Sequence, residues 1–318
     1  MLRFFCSFTD ELNEWIMKKE KVLENVKKYW FRWTLGVVMA VMVGSWWMAQ
    51  RVEFRMSDDD LVNEYSQSDS KLPVSIHRYQ VEDRTVRFVE FGHDSLPVTI
   101  LVHGAPSSLS FFNSLYADTS LTNHTLLVGV DRPGYGYSNF GESVTSVKKQ
   151  AHFLQPLIDY YANKGRKVIL AASSYGGSVV AKLAMDNPDA VSGILFISSS
   201  LAPGQEYTYP ISYVIDSPWF SWFFPTILKV ANDEKLNHHK ALEDIQDGWT
   251  RIRSRIILLH GKADDLIYFS NAEYARQRLT NAMSFKLIPL DGIGHTIMWD
   301  RPDLIRSSLL ELIQNPNG

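Results

Sequence analysis

The sequence predicts an α/β domain on a mostly parallel sheet, carried behind one N-terminal membrane-spanning helix. Three observations predict this. An unbroken run of 18 uncharged residues separates Arg32 from Arg51. Beyond residue 72, short apolar runs alternate with amphipathic helical stretches. A serine, an aspartate and a histidine of the kinds needed for nucleophilic catalysis then follow three of those runs.

The first element is the run WTLGVVMAVMVGSWWMAQ. As a helix it extends roughly 27 Å at about 1.5 Å per residue, close to the hydrocarbon thickness of a bilayer. Trp30 and Trp33 stand at one end and Trp46 and Trp47 at the other, where amphipathic rings prefer the headgroup level. Six basic residues precede it (Lys18, Lys19, Lys21, Lys27, Lys28, Arg32), while Arg51 and Arg55 are soon followed by Asp58, Asp59 and Asp60. The excess of positive charge on the N-terminal side places that side in the cytoplasm. The domain after residue 50 is then expected outside the cytoplasmic membrane, in the periplasm if the source is Gram-negative. The basic leader is long, and bulky Trp47 stands where signal cleavage needs a small residue, so the segment reads as an uncleaved signal anchor. Residues 1–32 carry an amphipathic pattern (Leu12, Trp15, Ile16, Val22, Leu23, Val26, Tyr29, Trp30) that suits either membrane lipid or self-association through residues 10–50. Residues 51–72 are polar and acidic and read as a juxtamembrane linker, which leaves 73–318 for the globular domain.

Composition bounds the function. The chain of 318 residues is 45% hydrophobic and 13% aromatic, with net charge −3, enough to bury a large core and without the basic excess of a nucleic-acid binder. Cys6 is the sole cysteine, so no internal disulfide forms; its thiol is either inert or an acylation site. His238 and His239 lack partners at metal-ligand spacing.

In the domain, residues 76–92 read as a hairpin broken at Glu82, Asp83 and Arg84. Strands follow at 98–104, 125–131, 167–173, 193–199, 255–261 and 283–290. The later ones are nearly continuous apolar runs, as in parallel strands covered on both faces. Helices are expected at 145–163, 175–187, 271–281 and 302–313, and a small cap at about 201–254.

Ser174 follows the strand KVILAAS and precedes a helix, in the turn Ala172-Ser173-Ser174-Tyr175-Gly176-Gly177. A small-x-Ser-x-Gly turn lifts a serine above a sheet edge, with Ala172 here in place of the usual glycine. Ser173 lacks a glycine two residues later. A serine hydroxyl needs a base, and the base an orienting carboxylate. Asp264 follows the strand RIILLHG, with Asp265 its neighbouring rival, and His295 follows the strand that ends at Leu290. The order is Ser174, Asp264, His295. After an early strand, Gly104 lets the backbone turn so that the Ala105 amide, together with that of Tyr175, can form an oxyanion hole. His103 reads as a structural residue of that turn.

Together, HGAP (103–106), DRPGYGYS (131–138), the serine turn, GKADDLI and GHTIMWDRP (294–302) resemble the α/β-hydrolase superfamily, in its α/β-hydrolase-1 branch, over roughly 75–313. The resemblance implies an eight-stranded, mostly parallel sheet, with neither metal nor organic cofactor. A serine nucleophile argues against epoxide hydrolases and haloalkane dehalogenases, which use aspartate there. The expected function is a membrane-anchored carboxylic ester hydrolase acting through an acyl-enzyme on Ser174, with an uncharged, apolar small-molecule acyl substrate and no nucleic acid. An acyltransferase, amidase or peptidase with the same triad remains open, as does a non-catalytic binding protein on the same fold. Tyr207, Tyr209, Tyr213, Trp219, Phe220, Trp222, Phe223, Phe224 and Trp249 in the cap are expected either to line an apolar pocket or to pack the cap onto the core.

Overall fold

The structure is a computed structural model and describes residues 2–49, 51–52, 54–66, 72–205 and 207–314. The Cys6 thiol and the Leu12 and Ile16 side chains lie outside the described part, as do residues 67–71 of the expected linker and 315–318 at the domain's end.

The chain divides into two units, 1–52 and 53–318. The first is one continuous helix, α1 (Leu2–Ala49). Successive residues Val37, Val38 and Met39, then Val41, Met42 and Val43, are each about half exposed, so apolar side chains face outward all round. Among the described residues no helix is long and apolar enough to cross a membrane. The expected transmembrane span is therefore found as helix only; Thr34, Gly36, Gly44, Ser45 and the terminal tryptophans dilute its apolar character.

The second unit begins before the expected boundary at residue 73. Within the segment read as a linker, α2 (Asp58–Ser66) forms. Ser57 caps it by accepting the Asp60 N–H at 3.1 Å, and three aspartates in its first turn favour the positive end of the helix dipole. Leu61 and Tyr65 are fully buried, and the Tyr65 ring meets Phe91 edge-on at 5.0 Å. With just two apolar residues turned inward, the segment shows too little periodicity in sequence to be read as a core helix.

The hairpin β1 (Val74–Val81) and β2 (Arg84–Phe91) starts the sheet. Then follow β3 (Val98–Val102), β4 (Leu126–Val130), α3 (Val147–Ala162), β5 (Val168–Ser173), α4 (Tyr175–Asp186) and β6 (Val191–Ile197). The cap contains α5 (Thr226–Glu243), after which come β7 (Arg255–Gly261), α6 (Ser270–Arg278), β8 (Ser284–Leu290) and α7 (Pro302–Gln314). The sheet has eight strands in the order β1-β2-β4-β3-β5-β6-β7-β8. β1 and β2 run antiparallel, as do β2 and β4, and every later pair is parallel. Each central strand feeds both faces: Val98, Ile100 and Val102 of β3 join the core under α3 and α4, whereas Leu101 joins the core under α2 and α7. This is why those strands read as unbroken apolar runs.

The cap aromatics answer neither expectation as a group. Trp219 is 81% exposed, Tyr213 67%, Trp222 53% and Phe220 52%. Trp249, at 1% exposure, alone of the exposed-versus-buried extremes packs in the core.

Leu61→Ala should cost about 2–5 kcal/mol in urea unfolding, the usual penalty for emptying a core leucine site. A change within about 0.5 kcal/mol, normal for surface positions, would return α2 to the status of a linker.

Candidate active site

β5 ends at Ser173, and the chain reverses sharply into α4 through Ser174, whose φ of 51° and ψ of −124° are strained for a residue with a side chain. The turn survives because its neighbours lack bulk. A Cβ on Gly176 would stand 2.4 Å from the Val102 carbonyl oxygen and 2.6 Å from that of His103. A Cβ on Gly177 would stand 2.3 Å from Ser199. The glycine two residues after the serine is therefore demanded by the end of β3. A Cβ on Gly104 would approach the Ser174 Cβ to 2.9 Å, so the 103–105 turn lies directly against the serine.

Asp264 follows β7 and is buried, while its neighbour Asp265 is exposed. Its Oδ1 accepts the Leu266 and Ile267 N–H groups at 3.0 and 2.8 Å. Its Oδ2 lies 2.8 Å from His295 Nδ1. Burial alone would raise the Asp264 pKa, but the His295 hydrogen bond and charge and the Ile267 amide outweigh it and hold the carboxyl below its usual range. Ser174 and His295 line one cavity of about 450 Å³ with Gly104, Ala105, Phe111 and Trp299; no hydrogen bond joins their side chains. Tyr175 is the first residue of α4, so its N–H has no intrahelical acceptor. Ala105 lies beside it on a second, smaller cavity that also contains Ser174.

His103 is a turn residue, as expected. It is fully buried. The Arg132 N–H donates to its Nε2 at 3.0 Å, which leaves Nδ1 to donate to the Gly104 carbonyl at 2.7 Å. Burial first, and then the Arg132 charge, hold it neutral.

Sequence reasoning missed the group that fixes this turn. Arg132 Nε donates to His103 O at 2.8 Å and Nη2 to Gly104 O at 3.1 Å. Its remaining donors meet Gln150 Oε1 at 2.6 Å and the two carboxylate oxygens of Glu234 at 2.8 and 3.1 Å. Tyr135 donates to Glu234 Oε2 at 2.7 Å and Gln150 Nε2 to Oε1 at 2.6 Å. Arg132 and Glu234 are fully buried, and losing one member of such a pair typically costs about 3–5 kcal/mol. The sequence signal was Arg132 inside the 131–138 turn; its partner on α5 lies 102 positions away. His238, also on α5, was set aside as a metal ligand, and among the described residues no group of metal-binding side chains exists. It instead packs against the Tyr175 ring, tilted by 31° with centroids 4.3 Å apart, and meets Ser200 Oγ at 2.9 Å.

Phe54 was also missed. Its carbonyl accepts Ser108 Oγ at 2.5 Å and Ser110 Oγ at 3.3 Å, and its ring lines the cavity that holds Ser174 and His295. Around it, Arg55 lies over the Tyr137 and Phe140 rings at 4.9 Å, and Arg87 donates to Met56 O at 3.0 Å.

The sequence profile of the alpha/beta hydrolase family matches residues 99–307. The chain belongs to that family. The curated pimeloyl-[acyl-carrier protein] methyl ester esterase of Proteus mirabilis (strain HI4320) is 32% identical over 101 residues, 32% of this chain. Those residues span 36% of that relative, about a third of its length. A membrane phospholipase A described as a bacterial virulence factor superposes with a TM-score of 0.58 at 20% identity, covering 89% of this chain and 99% of its own. The 2-hydroxy-6-oxo-6-phenylhexa-2,4-dienoate hydrolase of Rhodococcus sp. strain RHA1 gives 0.60 at 17% identity, over 76% and 99%. At these identities the structural likeness is one of fold.

Buried His238 gives this hydrolase-family chain an acid-sensitive element. Burial, then Lys235 and Arg132, push its pKa from 6.5 down to about 3. Below 6.5 the unfolded chain takes up a proton that the folded chain refuses, so stability falls as pH drops towards 3, by up to about 1.4 kcal/mol per pH unit. His238→Asn should flatten the fall of the urea midpoint between pH 6.5 and 4; an unchanged slope would show that His238 does not carry it.

Proposed function

We propose that the protein is a serine hydrolase of carboxylic esters, held at a membrane by α1. The observation that carries the chemistry is the buried Asp264 bonded to His295 on the cavity that also exposes Ser174. In this reading His295 takes the Ser174 proton as Oγ attacks the ester carbonyl, and Asp264 orients the ring and steadies the imidazolium. The Ala105 and Tyr175 amides hold the oxyanion. His295 then protonates the departing alcohol, and water cleaves the acyl-enzyme by the same route. His260 cannot replace His295 as base: it is buried, its Nε2 faces the Ile267 carbonyl at 2.9 Å, and burial lowers its pKa.

The mostly apolar walls of the cavity suit an uncharged substrate, and the ester reading accords with the esterase and phospholipase named among the similar proteins. Membrane tethering is supported by the apolar side chains that α1 turns outward from Trp30 to Met48 and by the basic residues that precede them. Their charge favours a cytoplasmic N-terminus with the domain on the other side of the membrane.

A fluorophosphonate probe should label the full-length protein and its Ser173→Ala variant but not Ser174→Ala. Labelling that survives in Ser174→Ala would remove the serine from its role. For the tether, the full chain should sediment with membranes and a chain lacking residues 2–49 should not. Full-length protein found in the soluble fraction would overturn that part.

A further inference from the structure

Ser174 faces two chambers of different size. The wider, about 450 Å³, contains His295 and is walled by Phe54, Phe111, Trp299, Pro106 and Leu266. The narrower, about 80 Å³, contains no histidine of the proposed triad; Ala231, Lys235 and His238 of α5 close it, with Ser200, Tyr175 and Ile267. Ser174, Ala105 and Leu266 line both chambers, so the partition passes through the nucleophile and the expected oxyanion amide.

The two substituents of an ester carbonyl cannot exchange places in such a site. For an ester R–CO–OR′, the Ser174 Oγ–C bond forms, the C–OR′ bond breaks, and the proton first taken by His295 is delivered to the OR′ oxygen. OR′ must therefore lie on the side of His295, in the wide aromatic chamber. With the oxygen anion against Ala105 and Tyr175, R is directed into the narrow chamber. Water later adds to the acyl carbon, returns its proton through His295 to Ser174, and releases R–COOH.

We infer that the site selects esters of a short acyl group with a bulky apolar alcohol, and that Phe54 is the residue that reads the alcohol. Phe54 comes from the strap that precedes α2, outside the segment matched by the family profile. Its ring is 55% exposed at the chamber wall, where a bound apolar group would cover it, and the serine hydroxyls on its carbonyl hold it there. Phe111 and Trp299 stand edge-to-face at 5.3 Å and complete an aromatic surface for an aryl or long alkyl alcohol. The opposite chamber, at about 80 Å³, has no room for a long acyl chain.

The inference rests on Ser174 acting as an ester hydrolase, and the test separates the two. Full-length protein is assayed against p-nitrophenyl acetate, butyrate and octanoate, which vary R alone, and against ethyl, octyl and 2-(2-naphthyl)ethyl acetate, which vary the bulk of OR′ while keeping a primary alkoxide as leaving group. The kcat/KM should fall at least tenfold from butyrate to octanoate and rise at least tenfold from ethyl to 2-(2-naphthyl)ethyl acetate. Phe54→Ala and the milder Phe54→Leu should compress the alcohol series and leave the acyl series in place, while Ala231→Leu should steepen the acyl series alone. A preference for octanoate with a flat alcohol series would overturn the partition. An alcohol series unmoved by either Phe54 variant would remove Phe54 from its role. Fluorophosphonate labelling of each variant runs beside the assay: absence of labelling in the unmodified protein defeats the hydrolase reading itself, whereas normal labelling with the wrong selectivity defeats the partition.

Discussion

A guanidinium removed from water must satisfy its donors inside the protein, and Arg132 does so by drawing together three parts of the chain that sequence keeps apart. It holds the carbonyls of the 103–104 turn, the side chain of Gln150 on α3, and Glu234 on α5. The charge of Glu234 outweighs burial and keeps Arg132 firmly protonated. The turn that presents Ala105 is thus set by an ion pair rather than by local chain preference. The same pair fixes α5, and with α5 the residues that close the narrow chamber beside Ser174. Precise placement and a low-dielectric setting come from one interaction.

A second buried charge set does similar work from the neighbouring residue of the same turn. Asp131 accepts the Leu109 and Tyr137 amides, each at 2.9 Å, and pairs with Arg87 at 3.3 Å. Arg87 also pairs with Asp58 at 2.8 Å. Gly136 is required there, because a Cβ would fall 2.1 Å from the Asp131 carboxyl carbon. The 131–138 turn therefore has two jobs: its first residue braces the strap and α2, and its second braces the cap. Burial raises the Asp131 pKa against the opposing amides and Arg87, a sign of how fully this junction is withdrawn from solvent.

Much of the fold was legible because parallel strands buried on both faces leave unbroken apolar runs, and because a serine turn needs small residues at set spacing. β3 to β8 fall where those runs place them. Asp264, His295, Ala105 and Tyr175 also gather around Ser174, since each follows a strand's carboxyl end. What was illegible has physical causes. Leu61 and Tyr65 bury α2 with two side chains, too few to make a pattern. Composition cannot tell an aromatic that packs inward from one that faces water, so Trp219 and Trp249 looked alike in sequence and differ in burial. The Arg132–Glu234 pair joins distant positions of unremarkable type, and only their meeting in space reveals it. Phe54 was obscured for the opposite reason, by lying in a stretch whose acidity suggested no structure at all.

The bond between Glu234 and Arg132 also bears on how caps can be exchanged among related hydrolases. Here the cap carries the counter-charge of a residue rooted in the sheet-bearing core. A graft without a carboxylate at this place would strand a buried cation and loosen the 103–105 turn, whatever pocket it brought. In this protein, cap and core would have to be inherited, or engineered, as a matched pair.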